Sequence, residues 1–420
     1  MGNSNSTTKA SEPVPVPTPV EDGLSLIPLI TWSLTILLGL VGTLILLYLL
    51  LWTFAPVPRA PRLKEKQYLS IQADGKLSPL KQLPCWYDNF SALVQMARKR
   101  QITTEEAHQI TEAELFMTLV IPAYNEQFRL TGMLEEAVTY LQEQYGHHGT
   151  RSRSSTDGKL QASGSQGDPR RGWEIILVSD GSTDQTIAVA LKFARDYQLG
   201  VPTKGGKTTQ IPPGTIRVVT LEKNRGKGGA VTHGMRHARG TYVVFADADG
   251  ASKFSDLGKL VQACERAKDD RGRAVGVGSR AHMVGTEAVV KVRLTAIDRS
   301  KTNDDFQRSF LRNTLMHAFH ILLRLLTTPK TAQIKDTQCG FKLFTRPTLP
   351  YIVPYMHSEG WIFDVEMLML AESANIPMVE VPIGWKEVGG SKLNVVWDSL
   401  GMAYGLALLR VAWGLGIYKR

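Results

Sequence analysis

Two aspartates stand two positions apart in the stretch FADADGA, where Asp247 and Asp249 follow the apolar run YVVFA. Residues i and i+2 of an extended chain project to the same side, so both carboxylates can reach one ligand. A divalent cation removes the repulsion between them, and Mg²⁺ or Mn²⁺ is favoured by a few carboxylates together with substrate phosphates. The spacing therefore predicts a metal-binding pair acting on a phosphate-bearing substrate. A simple Asp and Gly turn after a strand is the alternative.

Polar, turn-forming residues also follow two other apolar runs of the chain, as PAYNE at 122–126 and DGSTD at 180–184. Short apolar runs alternate with helical periodicity, which predicts an α/β fold with a mostly parallel sheet flanked by helices. The predicted strands cover 116–121, 174–179, 216–221, 242–246 and 274–279. Ligands of open α/β sheets bind beyond the carboxyl ends of the strands, so we expect the three polar ends to form one site.

The charge and the cysteine content of the chain narrow the function classes. With a formal charge of +10 over 420 residues, we expect an anionic partner. The sequence has no zinc-ligand spacing and no recognisable basic helix beside the predicted sheet. No nucleic-acid partner is therefore expected. Cys85, Cys264 and Cys339 are too few and too scattered for a disulfide framework or a cysteine-based metal site, which indicates a reducing compartment.

An uncharged stretch near the N-terminus predicts a membrane anchor. Residues 24–54 are rich in Leu and Ile and carry no charge, and about 20 apolar residues already span a bilayer. The basic residues that follow place the large C-terminal part in the cytosol and residues 1–23 in the lumen as a short tail. These basic residues are Arg59, Arg62, Lys64 and Lys66.

Two short motifs bear on this orientation. MGNSNS fits the N-myristoylation pattern, which would hold Gly2 in the cytosol and reverse the topology. Asn5 and Asn89 both begin glycosylation sequons, and a glycan on Asn89 would also overturn the predicted topology. We keep the cytosolic assignment because the myristoylation pattern is loose and the apolar helix already anchors the chain.

Composition divides the rest of the chain. Residues 55–115 open with the Pro-rich APVPRAPR and are assigned as a stem, and residues 116–395 carry the predicted catalytic fold. A Ser-, Gly- and Arg-rich insertion at 146–172 has little to bury, which predicts a flexible surface loop. The amphipathic segment 306–326 and the C-terminal segment 396–420 are assigned as membrane-facing helices that lie at the interface. Core helices of a soluble domain are the alternative for both.

Four motifs, VIPAYNE, VSDGSTDQT, NRGKGGA and ADADGA, occur in this order. Over about 116–395 the chain thereby resembles the inverting glycosyltransferases of family 2, which have the Rossmann-like GT-A fold. The chain is also similar to one branch of this family, which transfers glucose from UDP-glucose to dolichyl phosphate. The similarity lies in the single anchor and in the later stretches DTQCGFKLF and GWIFDVEML. That branch works at the endoplasmic reticulum membrane and supplies N-glycan precursor assembly.

Three other classes of protein are alternatives to this branch. A sister branch that uses GDP-mannose shares the core motifs. An inactive nucleotide-sugar-binding scaffold would tolerate loss of a metal-binding acid, whereas both acids are intact here. Processive polysaccharide synthases usually carry a QxxRW motif, which does not occur in this sequence.

The resemblance implies a role for each matching residue of the donor half. Asp180 would meet the uracil, Lys227 would lie near the diphosphate, and Asp247 and Asp249 would hold the donor and its ion. The nucleotide would also be bordered by Pro122, Tyr124 and Glu126. A loop turn is the alternative for Asp180.

The acceptor half is expected to bind a lipid phosphate through cations that donate charge-assisted hydrogen bonds. The candidates are Arg280, Arg308, Arg312, Lys342 and Lys392. A solvated basic face is the alternative for each of them. Asp364 resembles the acceptor-side acid of the family, and a helix N-terminal cap is its alternative role. We expect direct displacement with inversion, in which Asp249, Asp364 and Arg280 act at the reacting atoms.

Overall fold

The computed structural model describes residues 26–146, 171–201, 209–283, 321–389 and 395–418 of the chain. The chain divides into two compact units, Met1–Phe54 and Ala55–Arg420. In the first unit, helix α1 (Leu26–Phe54) contains Ile30–Thr53, a stretch long and apolar enough to cross a membrane by length and composition. Its mean hydropathy is 2.6, in agreement with the helix predicted there.

A mixed sheet forms the centre of the second unit, and nine of its strands lie in the described ranges. They are β1 (Gln67–Leu69), β2 (Lys81–Gln82), β3 (Leu115–Ala123), β4 (Trp173–Ser179), β5 (Ile216–Thr220), β6 (Gly240–Ala246), β7 (Val275–Ser279), β8 (Phe341–Thr345) and β9 (Met378–Pro382). Their order across the sheet is β2-β1-β5-β4-β3-β6-β8-β7-β9.

The middle of the sheet is parallel, in the order β5-β4-β3-β6. Strands β3 to β7 overlap the five predicted strands, which confirms the α/β fold. Strand β8 lies between β6 and β7 and is antiparallel to both, and β7 is parallel to β9. At the other edge, β1 runs antiparallel to β5 and to β2.

Helices cover both faces of the sheet. They are α2 (Trp86–Arg98), α3 (Thr104–Ala107), α4 (Leu130–Tyr145), α5 (Thr186–Gln198), α6 (Gly226–Met235), α7 (Leu257–Ala267), α8 (Pro329–Gln333), α9 (Leu349–Ile352), α10 (Phe363–Ser373) and α11 (Val395–Gly414). On β3, Leu119 and Ile121 pack with α4, α5 and α7, whereas Val120 packs with α6, α10 and α11. This alternation follows from the two-residue period of a strand. Each fully buried aliphatic side chain contributes roughly 1.5–3 kcal/mol to folding.

Residues 55–115, which the sequence set apart as a stem, belong to the unit that contains the sheet. They contribute β1, β2 and α2, and they contact two histidines, His233 on α6 and His237 in the turn that follows it. His233 Nε2 lies 2.8 Å from the carbonyl oxygen of Glu65, and His237 Nδ1 lies 2.8 Å from that of Pro84. The segment therefore braces helix α6.

Helix α11 is apolar on two faces. One face is buried in the core through Met402, Leu406 and Leu409. The other face carries exposed apolar side chains, namely Trp397, Leu400, Tyr404 and Val411. A helix that packs on one face and exposes large apolar groups on the other indicates a second contact surface.

Candidate functional site

A cleft of about 610 Å³ opens beyond the carboxyl ends of the parallel strands β3, β4 and β6. Nine residues that the sequence singled out line it: Pro122, Tyr124, Glu126, Asp180, Lys227, Asp247, Asp249, Arg280 and Asp364. The three polar strand ends therefore meet in one place, as the sequence predicted. The roles of these residues follow from their individual contacts.

The loops after β3 and β4 hold each other in position. Asn125 has a positive φ of 52°, which asparagine adopts more readily than most residues. Its side-chain oxygen accepts the backbone N–H groups of Thr183 at 2.8 Å and Asp184 at 3.3 Å. In return, the backbone N–H of Asn125 donates to the hydroxyl of Ser182 at 3.1 Å. The PAYNE and DGSTD motifs thus form one interlocked wall of the cleft.

Asp180 joins this wall to the start of helix α6. Its Oδ1 accepts the backbone N–H of Arg225 at 2.7 Å, and its carbonyl accepts the side-chain amide of Asn224 at 3.1 Å. Burial raises the pKa of Asp180 to about 6, and the hydrogen bonds from the backbone of Arg225 and Gly226 oppose this shift. The structure therefore places Asp180 at the N-terminus of α6 as well as on the cleft wall.

Glycines allow the N-terminus of α6 to approach the loop before α10. Gly226 has a φ of +81°, and a Cβ added there would lie 2.5 Å from the carbonyl oxygen of Glu359. At Gly228 an added Cβ would lie 2.5 Å from Cβ of Phe363. This close packing fixes the backbone on both sides of Lys227 and so directs its long side chain into the cleft.

The two aspartates after β6 share the cleft with two cations. Lys227 Nζ lies 2.6 Å from Asp247 Oδ1, and Arg129 lies 3.8 Å from Asp249 Oδ2. Burial, followed by the charge of Asp247, raises the pKa of Asp249. Burial alone would lower the pKa of Lys227, but Asp247 and Asp364 outweigh it and raise this pKa. Gly340 faces the pair, and a Cβ there would overlap the Asp247 carboxylate.

The donor set fits a divalent ion that shares its ligands with a substrate. Within the part of the chain that the structure describes, no group of three or more His, Cys, Asp or Glu side chains is arranged to hold a metal ion. Asp247 and Asp249 offer two carboxylates, and Mg²⁺ is commonly bound by one or two carboxylates plus substrate phosphates and water. Burial and then the charge of Asp247 raise the pKa of Asp249, and a cation would relieve the repulsion between the two carboxylates.

Arg280 is held rigidly on the other side of the cleft. Its Nε and one terminal nitrogen donate to Asp336 at 2.7 and 2.8 Å, and its backbone N–H donates to the same carboxylate at 2.9 Å. The hydrogen bond to Asp336 raises the pKa of Arg280. Burial would raise the pKa of Asp336, but the contacts with Arg280 lower it. Arg280 is therefore a fixed cation on the cleft wall.

Lys342 departs from the expected acceptor-phosphate contact. Its side chain is fully buried, and its ammonium bonds Asp364 Oδ1 and, at 2.7 Å, the carbonyl of Cys339. An ammonium without exposed surface and with two internal partners has no face for a lipid phosphate. The alternative role of Asp364 as a helix cap is not what the structure shows either, because the N-cap of α10 is Ile362.

The remaining acceptor candidates, Arg308, Arg312 and Lys392, lie outside the described residues. So do Gly2, Asn5 and most of the insertion predicted at 146–172.

Several cleft residues were missed by the sequence analysis, namely Arg129, Asn224, Gln338, Trp361 and Met402. Arg129 stands three residues after Glu126 on the chain and donates to its carboxylate at 2.6 and 2.7 Å. That helical spacing was a readable signal. Gln338 and Trp361 belong to the stretches DTQCGFKLF and GWIFDVEML, so their motifs were noted without a role. Met402 had no local signal, since only the packing of α11 brings it to the cleft.

Comparisons with known proteins agree with this architecture. A family model described as glycosyl transferase family 2 matches residues 118–271. A dolichyl-phosphate beta-glucosyltransferase of Saccharomyces cerevisiae is 38% identical over 387 residues, covering 90% of this chain and 93% of that protein. The protein of the same name from Homo sapiens is 35% identical over 304 residues, covering 72% and 77%.

Among solved structures, glucosyl-3-phosphoglycerate synthase of Mycobacterium tuberculosis in complex with Mg²⁺ and uridine diphosphate is similar at 16% identity. Its TM-score is 0.41, and the match covers 72% of this chain and 80% of that one.

Proposed function

The chain belongs to the dolichyl-phosphate β-glucosyltransferases of glycosyltransferase family 2, and from this premise we propose that it transfers glucose from UDP-glucose to dolichyl phosphate with inversion. The products are dolichyl β-D-glucosyl phosphate and UDP. One observation carries the proposal: the acids and the lysine assigned to the donor and the arginine assigned to the acceptor line a single cleft.

The donor half binds the nucleotide and its diphosphate. Asp180, ionised above its raised pKa of about 6, accepts an N–H of uracil with its carboxylate. Lys227 donates to the diphosphate from its fixed place at the start of α6. Asp247 and Asp249 would hold Mg²⁺ or Mn²⁺, and a bound ion would neutralise charge on the departing diphosphate.

The acceptor half brings a phosphate oxygen to the anomeric carbon. With a second pKa near 6, a phosphate monoester is already mostly dianionic at neutral pH. It therefore needs no strong general base, and Arg280 orients it through charge-assisted hydrogen bonds. The phosphate oxygen forms a bond to the anomeric carbon on the face opposite UDP. The bond from that carbon to the diphosphate breaks, and its electron pair leaves with UDP.

Membrane attachment suits a lipid acceptor. We propose that α1 is a single span in the endoplasmic reticulum membrane, with the catalytic unit in the cytosol, where it supplies N-glycan precursor assembly. The exposed apolar stripe of α11, from Trp397 to Val411, has the apolar surface of an interfacial helix. Met402, on the buried side of the same helix, lines the cleft. A polyprenol chain that lies along α11 would thus have its phosphate near Arg280.

A direct assay tests the proposal. Full-length protein in detergent is incubated with dolichyl phosphate and either UDP-glucose or GDP-mannose, with and without Mg²⁺ or Mn²⁺. We expect glucose transfer from UDP-glucose that needs the divalent ion. Transfer only from GDP-mannose would move the protein to the mannose-using branch. If neither donor is used while UDP still binds, the scaffold alternative is correct.

A further inference from the structure

A charged lysine lies inside the sheet, directly beneath the cleft. Lys342 on strand β8 is 0% exposed, and its ammonium lies 5.4 Å from the ring centre of Phe245 on the neighbouring strand β6. Burying an ammonium is strongly unfavourable unless it is paired and hydrogen-bonded. Its partners are Asp364 and the carbonyl of Cys339. A buried ion pair is weak evidence for stability, so its presence calls for another reason.

The partner of this lysine reaches the functional site. Asp364 is 2% exposed but lines the cleft, in the first turn of α10. The neighbouring Trp361 and Phe363 place their rings 5.8 and 5.9 Å from the Lys227 ammonium. Lys227 in turn contacts Asp247 at 2.6 Å. Asp364 and Lys227 line the same cleft, and against the effect of burial the charges of Asp247 and then Asp364 raise the pKa of Lys227.

We infer that Lys342 is a positioning residue, which orients the Asp364 carboxylate so that Asp364 and Asp247 together fix the Lys227 ammonium at the diphosphate. The inference rests on the proposed function, since Lys227 has this use only if a nucleotide diphosphate binds here. Lys342 touches no substrate and acts only through Asp364.

The charge state of Asp364 depends on three groups that face it. Burial raises its pKa, and Lys342 from β8 opposes this most strongly, followed by Lys227 from α6. Asp247, after β6, raises the pKa further. Without Lys342, the carboxyl loses its main stabilising charge and takes up a proton at a higher pH. A neutral Asp364 then no longer attracts the Lys227 ammonium.

The test uses full-length protein and the glucose-transfer assay. Lys342→Met should lower kcat about 100-fold or more at pH 7, a loss typical of misplaced transition-state stabilisation. The acid limb of its pH profile should move upward by about one unit or more, because the carboxyl now protonates more easily. The matched control is Arg217→Met, which removes another buried cation, 3.2 Å from Glu174 on the neighbouring strand. It should reduce stability and leave the pH profile in place.

A comparison of two further variants keeps the inference testable even if Lys342→Met does not fold. Replacing both members of a buried ion pair by neutral residues is usually tolerated, and in Asp364→Asn the amide oxygen can still accept from the Lys342 ammonium. Asp364→Asn and the combined Lys342→Met/Asp364→Asn protein can therefore be compared. If Lys342 acts only through Asp364, both should show the same residual kcat and UDP affinity within about twofold. A further loss of about tenfold in the combined protein would overturn the inference. So would a folded Lys342→Met protein with the wild-type pH profile. Absence of transfer in the wild type would instead refute the proposed function.

Discussion

Acidification from pH 7 to pH 5 should destabilise the catalytic unit by protonating two buried histidines, one on helix α6 and one in the turn after it. His233 and His237 are each 1% exposed, and their ring centres lie 5.0 Å apart. A carbonyl oxygen only accepts hydrogen bonds, so each ring must donate its N–H to the carbonyl it faces, at Glu65 or Pro84. Both rings are then neutral, and a second proton on either would be a buried charge beside another imidazole.

The size of the effect follows from the pKa values. Burial, and next the charge of the neighbouring His237, lower the pKa of His233 to about 3. Burial lowers the pKa of His237 to about 4. The unfolded chain binds these protons near pH 6.5 and the folded chain does not, so stability falls as pH drops through 6.5 towards the folded values. At pH 5 the loss is about 2 kcal/mol for each ring, or about 4 kcal/mol for the pair.

The free energy of unfolding in urea, measured on full-length protein in detergent, tests this. Other groups titrate in the same range, since burial raises the pKa of Asp180 to about 6, which stabilises the fold as pH falls. The comparison is therefore between the wild type and His233→Gln/His237→Gln, whose amides still donate to the carbonyls. The stability advantage of the wild type should shrink by about 4 kcal/mol from pH 7 to pH 5. A difference between the two proteins that does not change with pH would refute the neutral buried pair.

Three further predictions concern the donor site. Asp249→Asn should lower glucose transfer by about 1000-fold or more and leave thermal unfolding unchanged, because it removes a metal ligand without removing volume. Gly340→Ala should abolish transfer by displacing the Asp247 carboxylate, whereas Gly132→Ala on α4, where an added Cβ meets open space, should keep the wild-type rate. UDP affinity, measured by calorimetry, should weaken about tenfold per unit below about pH 6 as Asp180 takes up a proton, and Asp180→Asn should remove this dependence.

Each of these predictions has a clear contrary result. If the Asp249→Asn variant transfers glucose at the wild-type rate, the role of Asp249 as a metal ligand is refuted. Equal rates for the two glycine variants would show that Asp247 is free to move. A UDP affinity that stays constant between pH 7 and pH 5 would show that uracil does not contact the Asp180 carboxylate.

The residues of the donor half of the cleft could be predicted from the sequence because they directly follow apolar runs along the chain. Each of the parallel strands contains an apolar run, and polar residues follow where the strand ends, as at Asp247 and Asp180. Since parallel strands end at one edge of a sheet, their ends had to converge. The same logic could not predict that β8 lies between β6 and β7, because strand order is set by long-range pairing and not by local periodicity.

The acceptor half was predicted less well because the exposure and the pairing of its residues depend on partners that are distant in the sequence. Lys342 looked like a phosphate ligand from its type, but its exposure and its pairing with Asp364 depend on the packing of β8 against α10. Strands β1 and β2 have three and two residues, too few for any period to show, so the segment before the sheet read as a stem. Arg129 was one helical turn from a named glutamate and could have been found.

The charge of the cleft is opposite to that of the chain, and this bears on metal use. The whole protein carries a formal charge of +10. Among the residues that the structure describes, the cleft is lined by five carboxylates, those of Glu126, Asp180, Asp247, Asp249 and Asp364, and by three cations, those of Arg129, Lys227 and Arg280. Its formal balance is thus −2, although both proposed substrates are anions. Net positive charge can steer such substrates towards the protein, but inside the cleft they would meet repulsion. One divalent cation between the aspartates and the diphosphate cancels that balance, which is a physical reason for a metal requirement independent of any motif.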